Sequence, residues 1–433
     1  MKRSLLAGAA GLSILGAAHG EGLYYAGTEA QESVPLKWTV GATLTYDDNV
    51  NPTYFNPATG LKSKQGITSI NPFAGVSFVS VSPQTTWDVY SRLGLIYYFD
   101  QPAGAGSDDL YEQARLGVNL THSFNERLRF SSRSFVSYER EPDYSYGVAS
   151  SAQVGEYFFW QTDNSVGYRF TERVATYTGI TLEGINYDSS VPNADRFTWT
   201  AYEQFRYQLS PQTVLTAEYR GGETTGNGLT SDSTDQFVLL GFEHRLSPTT
   251  IITARAGAQF HDVSNSLSGS DTSPYVEATL NSQINTQFKI RAFARYGIES
   301  YDDVRSVFGP GVTPSGVTDF YEFTSRKTFR LGVSGDYAIS QKFSIFGGVD
   351  YIPTSFDNGQ LRNAGAFPAV PGPPPLSVSG LSEDLVNVYV GLSIKFTDIL
   401  TGDLTYNYTD STSDLFSNTY NRNRISLGVH ADF

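Results

Sequence analysis

The chain carries five histidines and no cysteine, and that limits its chemistry from the start. Without thiols there is no disulfide, no thiolate nucleophile, no cysteine-ligated zinc and no iron–sulfur cluster. His19 falls in an N-terminal stretch expected to be removed, so His122, His244, His261 and His430 remain, scattered along the chain. A histidine-rich metal centre is not expected. No phosphate loop, His-Glu-x-x-His or Gly-x-Ser-x-Gly is present. Gly221-Gly222-Glu223-Thr224-Thr225-Gly226 is glycine-rich but lacks the lysine and the following helix of a phosphate loop. A hydrolase using a histidine on an outer wall would need that residue facing outward, and residue alternation puts His261 and His430 on the other face. The expectation is no catalytic residue, no metal and no cofactor.

The remaining candidates are charged side chains within alternating segments, each on the face opposite the oily residues. The basic ones are Arg92, Arg115, Arg129 and Arg133, followed by Arg255, Arg291, Arg295 and Arg330. The acidic ones are Glu218, Glu243, Glu277 and Asp336. Two basic sectors about half a turn apart on an inner surface would set ion preference and create a transverse field. The same residues could instead pair across neighbouring strands and only hold a wall together. Tyr90, Tyr111, Tyr157, Phe159, Tyr177 and Tyr202 share that face and would either guide a sugar chain by stacking or fill space. The acidic pairs Asp47-Asp48, Asp108-Asp109, Asp302-Asp303 and Glu383-Asp384 read as solvated loop surface, with divalent-cation binding as the sharper alternative. The proline-rich stretch 366–376 favours stiff, extended backbone, suited to an inward lid or an outward contact.

These side chains need elements that alternate, and the chain alternates with period two from residue 36 onward. Trp87, Val89, Leu93, Leu95, Tyr97 and Phe99 oppose Asp88, Tyr90, Arg92 and Gly94. Ile425, Leu427, Val429, Ala431 and Phe433 oppose Arg424, Ser426, Gly428, His430 and Asp432. Eight short turns alternate with nine long polar connections, the longest over 353–383, which makes 18 strands with both ends on the short-turn side. Leu209-Ser210-Pro211-Gln212-Thr213 and Leu246-Ser247-Pro248-Thr249-Thr250 are nearly one pentapeptide, a sign of repeated hairpins. A propeller would need four short strands per repeat, and each repeat has room for two long ones. Tyr97, Tyr98 and Phe99 stand at a long-loop end, and Phe124, Phe170, Phe288, Phe343 and Phe396 beside short turns, as membrane interfaces select.

The ends and the composition fit this picture. Residues 1–20 have Lys2 and Arg3 before an apolar run, with Ala18 and Gly20 at the −3 and −1 positions, and read as a cleavable export signal. Residues 21–35 would form a periplasmic segment and 36–433 a single barrel. Glycine (41), tyrosine (28) and phenylalanine (28) are abundant, charged residues make up 17%, and the net charge of −14 disfavours nucleic acid. No later apolar run is long enough for a membrane helix, so any crossing must use strands. Ser426, Gly428, Ala431 and Phe433 fit the C-terminal insertion signal of outer-membrane barrels, read by the barrel-assembly machinery.

Trp38-Thr39-Val40-Gly41-Ala42-Thr43-Leu44-Thr45-Tyr46-Asp47-Asp48-Asn49-Val50 resembles the opening strand and corner of a family of outer-membrane β-barrel porins often encoded with exopolysaccharide-synthesis genes. The resemblance implies a passive or export conduit; Asp47 to Asn49 by themselves read as a turn. The fold expected is all-β, one transmembrane antiparallel barrel of about 18 strands with short periplasmic turns and long extracellular loops. The function expected is a porin-like channel in the outer membrane for small hydrophilic solutes or saccharides, surrounded by lipid and lipopolysaccharide. One rival is a conduit for surface polysaccharide working with periplasmic export proteins. Another is a non-conducting scaffold or adhesin.

Overall fold

A computed structural model describes residues 33–56, 61–62, 64–103, 108–141, 154–188, 195–227, 231–264, 269–299, 304–306, 320–363, 377–415 and 418–433. Residues 1–20, the proline-rich stretch 366–376 and Asp302-Asp303 lie outside them. Eighteen strands form the wall. They are β1 Val34–Asp47, β2 Ile67–Val81, β3 Thr85–Tyr98, β4 Leu110–Ser123, β5 Leu128–Glu139, β6 Tyr157–Arg169, β7 Val174–Tyr187, β8 Arg196–Ser210 and β9 Thr213–Gly226. The second half is β10 Ser233–Ser247, β11 Thr250–Val263, β12 Ser270–Gln283, β13 Phe288–Ile298, β14 Phe320–Ala338, β15 Phe343–Asn363, β16 Leu381–Lys395, β17 Leu400–Ser413 and β18 Tyr420–Asp432. Each strand pairs antiparallel with its sequence neighbours, and β1 closes the wall on β18 with Thr39 opposite Asp432 and Asp47 opposite Arg424. Val304–Ser306 and Ser377–Val378 add short ladders to β14 and β15.

The tight turns form because a short polar side chain satisfies the backbone locally. Asn125 Oδ1 accepts the N–H groups of Arg127 and Leu128 at 2.8 and 2.9 Å. Asn285 does the same for Gln287 and Phe288, and Thr171, Ser340 and Thr397 use their hydroxyls. These turns share one rim with the start of β1 and the end of β18. Trp38 and Phe433 exchange backbone hydrogen bonds there, at 3.1 and 2.8 Å.

Closure gives the wall an oily outside. Leu240, Phe433 and Leu93 are 69%, 67% and 63% exposed, and they belong to a continuous outward set. An apolar surface of that extent is stable against lipid and not against water. Phe124, Phe170, Phe343 and Phe396 are exposed at the tight-turn rim, and Tyr97, Phe99, Phe158 and Phe197 towards the other. Tyr98 departs from the expected belt, because its parity turns it inward, where it packs with Val50, Ile67 and Tyr111. Polar outward residues on β5 to β8 satisfy one another: Ser132 donates to Asn164 at 2.7 Å, Ser134 meets Thr162 at 3.0 Å, and Thr178 bonds Glu203.

Inside, rings lie against glycines. A Cβ added to Gly117 would sit 2.2 Å from the Tyr90 ring; Gly167, Gly179, Gly332 and Gly391 are covered in the same way by Tyr177, Tyr202, Phe293 and Phe346. A ring laid flat over a bare backbone fills the inner surface without projecting far from it, as in aromatic rescue of strand glycines. Buried clusters occupy the long-loop end, among them Phe135, Tyr157, Phe159 and Ile185, and Tyr321, Phe323, Phe356 and Leu415. The second explains one difference from expectation. The reading of 353–383 as a loop ends β15 too early, since Phe356 packs edge-on against Phe323 at 5.2 Å and the β14–β15 ladder continues to Asn363.

Candidate functional site

The inner face is built from the parity opposite the oily one, and it holds all the charged candidates. Arg92 on β3 lies over the Phe73 ring at 3.8 Å, and Arg115 on β4 is ion-paired with Glu139. Arg129 Nε reaches Ser123 at 3.3 Å, and Arg133 stands opposite Asp163. On the far side, Arg255 holds Glu277 at 2.7 Å, Arg295 holds Glu299 at 2.8 Å, and Arg330 holds Glu299 at 2.6 Å. Arg291 forms no ion pair among the described residues, and Asp336 stands opposite Lys289. Arg255 is balanced, since it and Arg220 share Glu218 and Glu277, whereas Arg295, Arg326 and Arg330 share the one carboxylate of Glu299, so pairing is uneven within this side of the wall. A sign read from one strand carries no information about the carboxylate on the next.

Glu218, Glu243 and Glu277 enter networks built on arginines that the sequence reading passed over. Arg220 pairs with Glu218 on its own strand and reaches past β10 and β11 to Glu277 on β12 at 3.0 Å. Tyr275 donates to Glu277 at 2.7 Å, and Gln204 to Glu218 at 2.5 Å. A Cβ on Gly241 would lie 2.7 Å from Arg255 Cγ, so the glycine clears the path this network follows. Arg206 holds Glu243 at 2.8 Å with both side chains buried. The signal for Arg206 and Arg220 was present: each stands two residues from an inward partner, Gln204 and Glu218.

A cavity of about 390 Å³ opens beside this network, lined from β5 through β14. Five arginines and six carboxylates face it, with threonines, glutamines and buried or half-buried rings between them. The six inward aromatics of the sequence reading are wall packing in the main. Tyr90, Tyr177 and Tyr202 lie on glycines, and Tyr111, Tyr157 and Phe159 sit in buried clusters.

The mouth is crossed by a second construction. Glu141, just beyond the end of β5, accepts from Arg422 at 2.8 and 2.9 Å and from Arg424 at 2.7 Å. Four strands separate β5 from β18 around the wall, so this carboxylate reaches its partners across the interior. Burial opposes its ionisation, but Arg422 and Arg424 outweigh burial and hold the carboxyl well below the usual carboxylate range. Arg140 beside it donates to the Tyr98 hydroxyl at 2.5 Å and to Asn51 at 2.7 Å. Arg422 also holds Asp47 at 2.5 Å, while Asn423 donates twice to Asp48.

Two of the acidic pairs are thus not simply solvated. Asp47 is buried at the seam, and Glu383 is buried and accepts from Ser413 and Asn418. Among the described residues no group of three or more His, Asp or Glu is placed to hold a metal. His261 meets Asp235 at 3.0 Å and His430 meets Asp403 at 3.1 Å, both on the inner face. His122 and His244 point outward onto Thr85 and Thr213. At the C-terminus Ser426 bonds Thr45 at 2.9 Å, Gly428 faces inward beside Thr43, and Ala431 and Phe433 face outward.

Fold and site together define a closed barrel with a lipid-compatible outside and a polar interior. No family model matches the sequence, and no curated protein matches it. Among solved structures, the outer membrane protein OpdK of Pseudomonas aeruginosa aligns at 12% identity over 92% of this chain and 99% of its own, with a TM-score of 0.44. OccAB4 of Acinetobacter baumannii aligns at 10% identity over 93% and 99%, with a TM-score of 0.42. Pseudomonas aeruginosa OccK2 (OpdF), solved in complex with glucuronate, aligns at 10% identity over 92% and 98%, with a TM-score of 0.44.

Proposed function

We propose that the protein is a passive channel of the bacterial outer membrane for small hydrophilic solutes. One observation carries this reading: a closed wall that is apolar outside and lined inside by charge, hydroxyls and a cavity. A scaffold or adhesin would need the same outer face but has no use for a solvated inner one. Residues 1–20 serve for export, and Ser426, Gly428, Ala431 and Phe433 for recognition by the barrel-assembly machinery. Arg92 and Arg291, inward guanidiniums of the strands with no ion pair among the described residues, weigh most in ion preference. Arg115, Arg129, Arg133, Arg255, Arg295 and Arg330, with Glu218, Glu243, Glu277 and Asp336, complete the lining. The Tyr46 to Val50 corner that carries the family resemblance is spent on closing the seam, so it supports architecture and not a polysaccharide cargo.

Swelling of liposomes containing the purified barrel tests the reading. Sugars of increasing size should enter at falling rates, and the rates should vanish in liposomes holding unfolded protein. Equal swelling with and without the barrel would contradict a channel.

A further inference from the structure

We infer that the cavity lined by β5 to β14 is a binding site for an uncharged polyhydroxylated solute, a saccharide, in preference to an organic anion. The inference rests on the channel reading for its route of access and on the cavity itself for its chemistry. At about 390 Å³ the cavity is large enough for a small molecule, since such sites span roughly 300–1,000 Å³.

Charge decides against an anion. Five arginines face six carboxylates, so the cavity has no positive excess. Arg220 and Arg255 already hold Glu277 at 3.0 and 2.7 Å, and Arg295 holds Glu299 at 2.8 Å. A solute carboxylate would have to displace one of these and strand it beside the others, at the cost of breaking a half-buried pair.

A sugar asks for what remains. Thr200, Thr253 and Thr279 project into the cavity from β8, β11 and β12, and their hydroxyls have no side-chain partner among the described residues. A sugar hydroxyl both donates and accepts, so it can meet these groups and the spare lone pairs of paired carboxylates without disturbing the pairs. Phe237 and Tyr275 meet edge-on at 5.0 Å, and Phe293 lies over Gly332. Phe237 and Phe293, both half-buried, offer apolar surface to the C–H face of a pyranose.

Calorimetric titration of the full-length folded barrel in detergent, with maltose and with gluconate, tests this, and the titrations are repeated as single-channel current block. Maltose should bind, and gluconate should bind at least about tenfold more weakly, the equivalent of roughly one net hydrogen bond. Thr253→Val with Thr279→Val should weaken maltose by a similar factor. Glu277→Gln, which leaves Arg220 and Arg255 with Glu218 as their one remaining carboxylate, should raise gluconate affinity, a gain that misfolding cannot imitate. Gluconate binding as well as maltose, or no maltose binding to a barrel that conducts, would overturn the inference and leave the channel reading intact. Maltose binding to a barrel that does not conduct would uphold the site and overturn the channel.

Discussion

At Gly117 one added carbon would meet the Tyr90 ring at 2.2 Å. Tyr90 must then leave the wall for the lumen or the strand must bulge, and overpacking of this kind costs about 1–3 kcal/mol. Gly117→Val is expected to lower the unfolding temperature, followed by heat-dependent gel mobility, and to reduce conductance as the ring swings inward; an unchanged barrel would show that the ring is not braced there. The inward face was legible residue by residue, because period-two alternation fixes parity and Arg92, Glu218 and Arg330 all obey it. Partnership was not legible. That Arg220 would reach Glu277 across two intervening strands depends on their mutual register, which parity leaves open.

Among the elements, the β1–β18 seam is where the barrel is most vulnerable. Arg422 is buried there between Asp47 and Glu141. Removing one partner of a buried pair leaves an uncompensated charge worth about 3–5 kcal/mol. Arg422→Met should therefore destabilise the barrel sharply, and adding Asp47→Asn with Glu141→Gln should recover part of the loss; equal stability of the single and triple variants would refute the seam as described.

The Glu141 bridge also has a pH signature. Its carboxyl is depressed in the folded state, so its contribution is complete above the unfolded value of about 4.3 and is lost as pH falls through the lower folded value. Conductance and thermal stability should stay level from neutral pH to about 4.3 and change only in stronger acid, whereas Glu141→Gln should show the altered conductance already at neutral pH. A wild-type transition near pH 6 would contradict this assignment. Strand count and tight turns were readable in the sequence, since Asn125, Thr171 and Asn285 make their turns by local hydrogen bonds. The length of β15 was not, because it rests on Phe356 meeting Phe323 from another strand.

On the scale of the whole molecule, the barrel joins two surfaces that neither water nor lipid alone would tolerate. The outer face needs lipid, and the inner face of paired charges needs water or a polar solute. Because most interior charges are paired, ion preference should be weak and should come from the guanidiniums left over. Arg92→Ser with Arg291→Ser is expected to shift the reversal potential in a salt gradient towards cations, while Arg255→Ser unbalances Glu277 and should shift it in the same direction with a loss of stability. The most direct test of the account is single-channel conductance of the purified, refolded protein in a planar bilayer. Steady, weakly selective conductance that rises in proportion to salt is expected. A folded, heat-modifiable barrel that passes no current under any salt condition would contradict it.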